Sequence, residues 1–374
     1  MKRISKRSRV IKPRALKAKL LLVVLLGCGT AVLQAQTATP SPALLVLAKR
    51  DTTLAIVDPA SLKVVTRIAA GPDPHEVVAS ADGKLAYVSN YGFGAYHSIS
   101  VIDLEAARPL RVIDLSPLHG PHGLWFAGGE LYFTAESNKV IGRYDPGEQK
   151  VDWILGTGQN RTHMVLVSEE LNRIFTSNVN AGTISIIEKA TAPPGAFGPP
   201  GGPPPSGAGA PSRPAGRAPM PPRPPDWNET VVPAGRGCEG FDVSPDGKEL
   251  WTGNAGDGTI TVIDVAGKKA VATLDARVRG ANRLKFTPDG RLVLVSTLGG
   301  PDLVVLDSAS RQEVKRIPLG HGAAGILMQP DGARAYVSCS PDDYVAVIDL
   351  KTLEVVGRID AGREPDGLAW AVRK

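Results

Sequence analysis

Cysteine is scarce in this chain: three among 374 residues, at positions 28, 238 and 339. That excludes a disulfide-built scaffold, and the spacing fits no structural zinc pattern. Motifs that announce chemistry are lacking as well. There is no G-x-S-x-G, no H-E-x-x-H, no Walker loop, no C-x-x-C and no C-x-x-C-H. This removes most motif-readable enzyme classes and leaves sites assembled from scattered loops. Acidic residues are missing from residues 1–35, which hold nine Lys/Arg. The formal charge of +6 therefore belongs to that segment, because the rest carries 34 basic against 37 acidic residues. A nucleic-acid-binding function has no global charge support.

The same segment reads MKRISKRSRVIKPRALKAK, then LLLVVLLGCGTAVLQAQ. A basic stretch, an apolar stretch and small residues predict an export signal over 1–35, followed by a short linker over 36–43. The apolar run is too short for a comfortable membrane span, so none is expected in the mature chain. Two processing readings stand side by side. Cleavage after Ala35 gives a soluble periplasmic or extracellular product starting at Gln36. Alternatively LLGC (25–28) resembles a bacterial lipoprotein box, with Cys28 lipidated and the protein tethered to a membrane.

What the chain does contain is a phrase that returns seven times. Clear copies read FDVSPDGKELWTGN…TITVID (241–264), LKFTPDGRLVLVST…DLVVLD (284–307) and ILMQPDGARAYVSC…YVAVID (326–349). Four short strands per unit at a period of about 42–45 residues predict an all-β, seven-bladed β-propeller with four antiparallel strands per blade. The first unit, 44–70, has only three strands, and REPDGLAWAV (363–372) has only one. That lone strand matches the inner strand of the other units, so blade one is expected to close the ring with it. Closure leaves no open edge, and a monomer is expected. The remaining blades are 71–115, 116–158, 159–234, 235–276, 277–320 and 321–362. A whole blade separates Cys238 from Cys339. A bridge needs α-carbons within about 7 Å, so two free, partly buried thiols are expected.

Turns such as SADG (80–83) and SPDG (244–247) supply an Asp to start the turn and a Gly free to take positive φ. The third strands end in Asp58, Asp103, Asp145, Glu188, Asp264, Asp307 and Asp349, where a carboxylate can accept backbone N–H groups of the turn. One stretch breaks the period. Residues 192–226 hold 14 of the 32 prolines and seven glycines, and cannot bury a core. They fall between the third and fourth strands of blade four, as a tolerated insertion or as a docking arm for a protein partner that reads Pro-rich segments.

The copies AYVSN…ISVID and AYVSC…VAVID resemble the YVTN-repeat family of seven-bladed propellers, which also resemble propellers of surface-layer and quinoprotein-dehydrogenase-like proteins. The resemblance implies the fold over roughly residues 44–374, apart from the insertion at 192–226. Related propellers serve as lyases, lactonases, electron-transfer enzymes and binding scaffolds, so it implies no single activity.

Chemistry is sought where equivalent positions converge. The tetrads that open the inner strands read PHEV, PHGL, THMV, CEGF, ANRL, AAGI and PDGL. Their second positions are His75, His122, His163, Glu239, Asn282, Ala324 and Asp366. Three readings compete. His75, His122 and His163, completed by Glu239 or Asp366, hold a divalent metal ion. Or the ring is metal-free, and one His acts as general base on a small molecule or glycan, with Glu239 or Asp366 as its partner. Or each His bonds backbone of the next blade. Seven such positions surround a channel expected to be about 10 Å or more across, against metal–nitrogen bonds of about 2.1 Å, so an ion must sit off-axis near blades two to four. Around this mouth, Tyr91, Phe93, Tyr96 and His97 form an aromatic loop that suits a lid or a sugar platform. Arg161, Arg236, Arg283 and Arg363 could bind an anion or pair with Asp73, Glu239 and Asp366. His119 and His321 lie a few residues away. The reading carried forward is an exported binding or scaffold propeller whose small molecule, glycan or protein partner sits at this mouth. The alternatives are a lyase or lactonase, and an interaction module using the Pro-rich arm.

Overall fold

The computed structural model describes residues 39–190 and 226–374; the expected export segment with Cys28, and residues 191–225 of the insertion, lie outside the described residues. The described chain forms seven four-stranded antiparallel sheets, the blades of a propeller. Blade one is built from Pro365–Ala371, Ala43–Ala48, Thr53–Asp58 and Lys63–Ala69 in that spatial order, so the last strand of the chain is the innermost strand of the first blade. The innermost strands meet one another around the ring, with Pro365–Ala371 against Pro74–Ala79 of blade two. Part of the expected linker is packed: Thr39 is buried and donates to the Leu104 carbonyl at 2.7 Å. Among the described residues no helix is long and apolar enough to cross a membrane.

The middle strands explain the stacking. TLAIVD, SISVID, TITVID and YVAVID each bury four consecutive residues, because both of their faces meet another blade. Seven apolar clusters result, one at each blade-to-blade interface. Between blades one and two, Leu45, Leu47 and Ile56 pack on Val77, Val88 and Ile102. Each such fully buried side chain contributes about 1.5–3 kcal/mol.

The turns are built as their residues require. Gly83 takes φ 69°, and Asp82 accepts from Ser80 Oγ at 2.6 Å and from Lys84 N–H at 3.1 Å. Six of the seven acids ending third strands accept backbone N–H bonds of the following turn, as Asp145 does from Gly147 at 2.7 Å. Glu188 is the exception. One methylene longer, it pairs instead with Arg173 at 3.2 Å and Lys268 at 2.5 Å. Cys238 and Cys339 are free and buried, and burial pushes the Cys238 thiol up to about 11.

Two devices position the mouth. First, the pairing of inner and second strands slips at the same place in blades two to six, between Pro74 and Val77, for example, and between Thr162 and Val165. The slip is a bulge containing the second and third tetrad positions, which frees those side chains from the ladder. Second, in blades three, four, six and seven a hydroxyl near the end of the second strand ties neighbouring blades. Thr134 accepts from Gly123 N–H at 2.9 Å and donates to the His163 carbonyl at 2.6 Å. Ser177 does the same for Glu239, Ser296 for Ala324 and Ser338 for Asp366.

The insertion leaves at the other end of blade four. Lys189 pairs with Trp227, and Ala190 N–H donates to the Asp226 carbonyl at 2.9 Å, so the ladder is continuous up to its departure.

Candidate functional site

All seven tetrad positions face one mouth, but not evenly. The His122 and His163 rings lie 3.8 Å apart and His75 lies 5.2 Å from His122. Neighbouring blades approach closely near blades two to four, where an off-axis grouping was expected, and Gly123 permits it. A Cβ on it would meet the His163 carbonyl oxygen at 2.5 Å, so its lack of side chain lets the inner strands of blades three and four close up.

The residue that organises the cluster was not among the sequence candidates. Glu136 follows the second strand of blade three and is buried. Its Oε1 accepts from His163 Nδ1, and its Oε2 accepts from Tyr91 Oη at 2.6 Å and lies 3.4 Å from Arg161 Nε. The signal lay in a second register. The residues just after the second strands read Lys49, Tyr91, Glu136, Val179, Ala255, Leu298 and Ser340. Large polar groups occur there in blades one to three, beside the three histidines.

The other candidates take defined places. Glu239 Oε1 accepts from Asn282 Nδ2 at 3.0 Å and lies 3.4 Å from His163 Nε2, too poorly aligned for a hydrogen bond. Asp366 pairs with Lys49 at 2.9 Å and stands 3.5 Å from His75 Nδ1, while Asp73 stands 3.3 Å from His75 Nε2. The arginines do not take the partners expected of them. Arg161 turns to Glu136, Arg236 to Asp257, Arg363 to Asp51, and Arg283 reaches across the channel to Glu76. None is free for an anion. The aromatic loop divides: Tyr91 is buried edge-on to His75 and His122, whereas Phe93 is 89% exposed and Tyr96 42%. His97 pairs with Asp114, His119 with the Ala95 carbonyl, and His321 with Asp342, all outside the cluster.

The charges follow from this packing. Burial, and next the charge of His163, hold His122 well below the usual imidazole range, so it is neutral. Burial alone would do the same to His163, but its hydrogen bond to Glu136 and the nearby Glu239 carboxylate raise it instead. Tyr91 is pushed up by burial and by its bond to Glu136. Five carboxylates (Asp73, Glu76, Glu136, Glu239 and Asp366) face four cations, Lys49, Arg161, Arg283 and the His163 imidazolium. The mouth is a negative site. Below it the channel opens into a cavity of about 290 Å³ lined by Trp125, Leu166, Phe241, Leu327 and Trp370.

No family model and no curated protein matches the chain. Solved structures match over most of its length. A functionally unknown protein from Desulfotomaculum acetoxidans is 12% identical with a TM-score of 0.66, covering 89% of this chain and 100% of its own. A candidate 6-phosphogluconolactonase from Bacteroides uniformis is 13% identical with a TM-score of 0.67, covering 88% and 99%. Kuenenia stuttgartiensis hydrazine synthase is 16% identical with a TM-score of 0.61, covering 79% and 89%. The chain is a seven-bladed β-propeller. At these identities the likeness is one of fold, and the YVTN-repeat family is matched by no family model.

Glu239 gives the site a pH signature. Burial would raise its carboxyl, but the close His163 imidazole, then the charges of Arg283 and Arg161, bring it down to about 2. A depressed carboxyl stabilises the fold above its unfolded value near 4.5, and the contribution is lost as pH falls toward 2. At about 1.4 kcal/mol per unit this amounts to about 3 kcal/mol. Urea unfolding of wild type and Glu239→Gln is therefore expected to differ by about that much near neutrality, and to converge at low pH.

Proposed function

We propose that this chain is an exported binding propeller that takes a small, positively charged ligand at the His-bearing mouth of its central channel. The observation that carries this is the negative balance of the mouth, in which every nearby basic side chain is already paired with a carboxylate. A cation completes such a site, whereas a phosphorylated or carboxylated ligand meets no free donor. Export is supported by the basic-then-apolar segment at residues 1–35.

Thermal unfolding with a panel of small probes tests the reading: Zn²⁺ and putrescine as cations, 6-phosphogluconate as anion. A ligand at about 100 times its Kd is expected to raise Tm by roughly 5 °C. At least one cation should give this rise in wild type and lose it in Glu239→Gln, with none from 6-phosphogluconate. The reverse pattern overturns the proposal.

A lactonase is the second reading, and one observation favours it: a neutral His122 stacked on a protonated His163 is a base beside an acid. The candidate lactonase among the structural neighbours is consistent with it. Hydrolysis of δ-gluconolactone, lost in His122→Ala, is its test.

A further inference from the structure

We propose that His122, Glu136 and His163 form a binding site for a divalent transition-metal ion of the zinc and iron class. The inference rests on the cation-binding reading above and names the cation. One donor atom from each residue lies within 4.8 Å of the other two. Two ligands of one tetrahedral ion at 2.1 Å stand roughly 3.4 Å apart, so small side-chain adjustments close the set. Two imidazoles and one carboxylate suit zinc and iron, whereas calcium and magnesium take oxygen-only sets. Three protein ligands leave at least one position for water or a substrate atom.

Burial and hydrogen bonding point the same way. His122 is 3% exposed and His163 is fully buried, so an ion fits between them where an organic ligand does not. His122 Nδ1 and His163 Nε2 are buried nitrogens with no hydrogen-bond partner. Leaving the His122 nitrogen unsatisfied is costly, and a bound metal relieves it. The surroundings are also those of an oriented ligand set. Tyr91 Oη and Arg161 hold the second oxygen of Glu136, Glu239 stands behind His163, and Thr134 fixes the His163 carbonyl. Outer partners of this kind orient metal ligands and tune them. The proton that His163 now shares with Glu136 leaves to solvent when the ion takes its place.

The test uses the full-length protein stripped with a chelator and titrated with Co²⁺ as a spectroscopic stand-in for Zn²⁺. Visible absorption bands of a low-coordinate Co²⁺ site should grow to one equivalent and be bleached by Zn²⁺. His122→Ala, which removes a neutral group with an unpartnered nitrogen, should fold and lower affinity by more than about 100-fold. His97→Ala, outside the cluster, should leave it unchanged. An unchanged wild-type spectrum, or wild-type affinity in His122→Ala, overturns the metal site. If putrescine nevertheless stabilises the protein through Glu239, the cation-binding reading survives and the metal site alone falls. If neither cation binds, both fall.

Discussion

Replacing Glu136 by alanine is expected to cost about 3–5 kcal/mol, the largest loss from any one side chain at the mouth. The carboxylate is buried and is shared by three groups on two segments: His163 and Arg161 from blade four, and Tyr91 from blade two. Removing it leaves the His163 imidazolium with only the misaligned Glu239, the Tyr91 hydroxyl without an acceptor and Arg161 without its partner. Each of those groups has been desolvated, so the cost is that of stranded polar groups rather than of the contacts alone. Glu136→Gln keeps an acceptor for Tyr91 and should lose less. Urea unfolding followed by tryptophan fluorescence checks the order: wild type above Glu136→Gln above Glu136→Ala. A loss below about 1 kcal/mol in the alanine variant would show that His163 is not charged in the folded protein.

The second large effect is expected from a glycine. A Cβ on Gly240 would lie 2.3 Å from the Asn282 carbonyl oxygen and 2.6 Å from the Arg283 α-carbon. Both are backbone atoms of the neighbouring inner strand and cannot move aside. Gly240→Ala should therefore cost about 3 kcal/mol or more, by forcing blades five and six apart. Gly156→Ala is the matched control. It ends the outer strand of blade three with nothing within 4 Å of the added atom, and should change stability by less than about 0.5 kcal/mol. Comparison of the urea midpoints decides it; equal midpoints for the two variants would remove the close-approach argument.

The same tetrad position explains what sequence reading could and could not supply. It holds Gly123, Gly240, Gly325 and Gly367 in blades three, five, seven and one, but Glu76, Met164 and Arg283 in blades two, four and six. The repeat shows that these positions converge, since strand length and turn chemistry recur in every unit. It does not show how closely neighbouring strands approach, because that depends on which tetrads lack a side chain and on what faces the gap. Averaging the ring thus shows that the histidines gather at one mouth but not that His122 and His163 touch. The histidines were legible because they sit at a fixed offset from a repeating strand. Glu136 sits at a fixed offset too, but after the second strand rather than before the first. The arginine partners were not legible, since a long side chain reaches several carboxylates and packing chooses among them. Arg283 bonds Glu76 on the far side of the channel, a pairing no local alignment suggests. The place of the Pro-rich insertion was readable from the interrupted period, and the ladder from Lys189 to Trp227 agrees with it.

The closing strand of blade one has a consequence for the life of the molecule. Pro365–Ala371 brings Asp366 to the mouth, where it meets Lys49 from the other end of the chain and His75 from blade two. A polypeptide halted during synthesis, or clipped by a protease before its last dozen residues, lacks both the strand and the carboxylate. The mouth is complete only once Pro365–Ala371 has paired with Ala43–Ala48. A chain cut between blades keeps sound four-stranded sheets but loses this closure, and with it the Asp366 carboxylate beside His75.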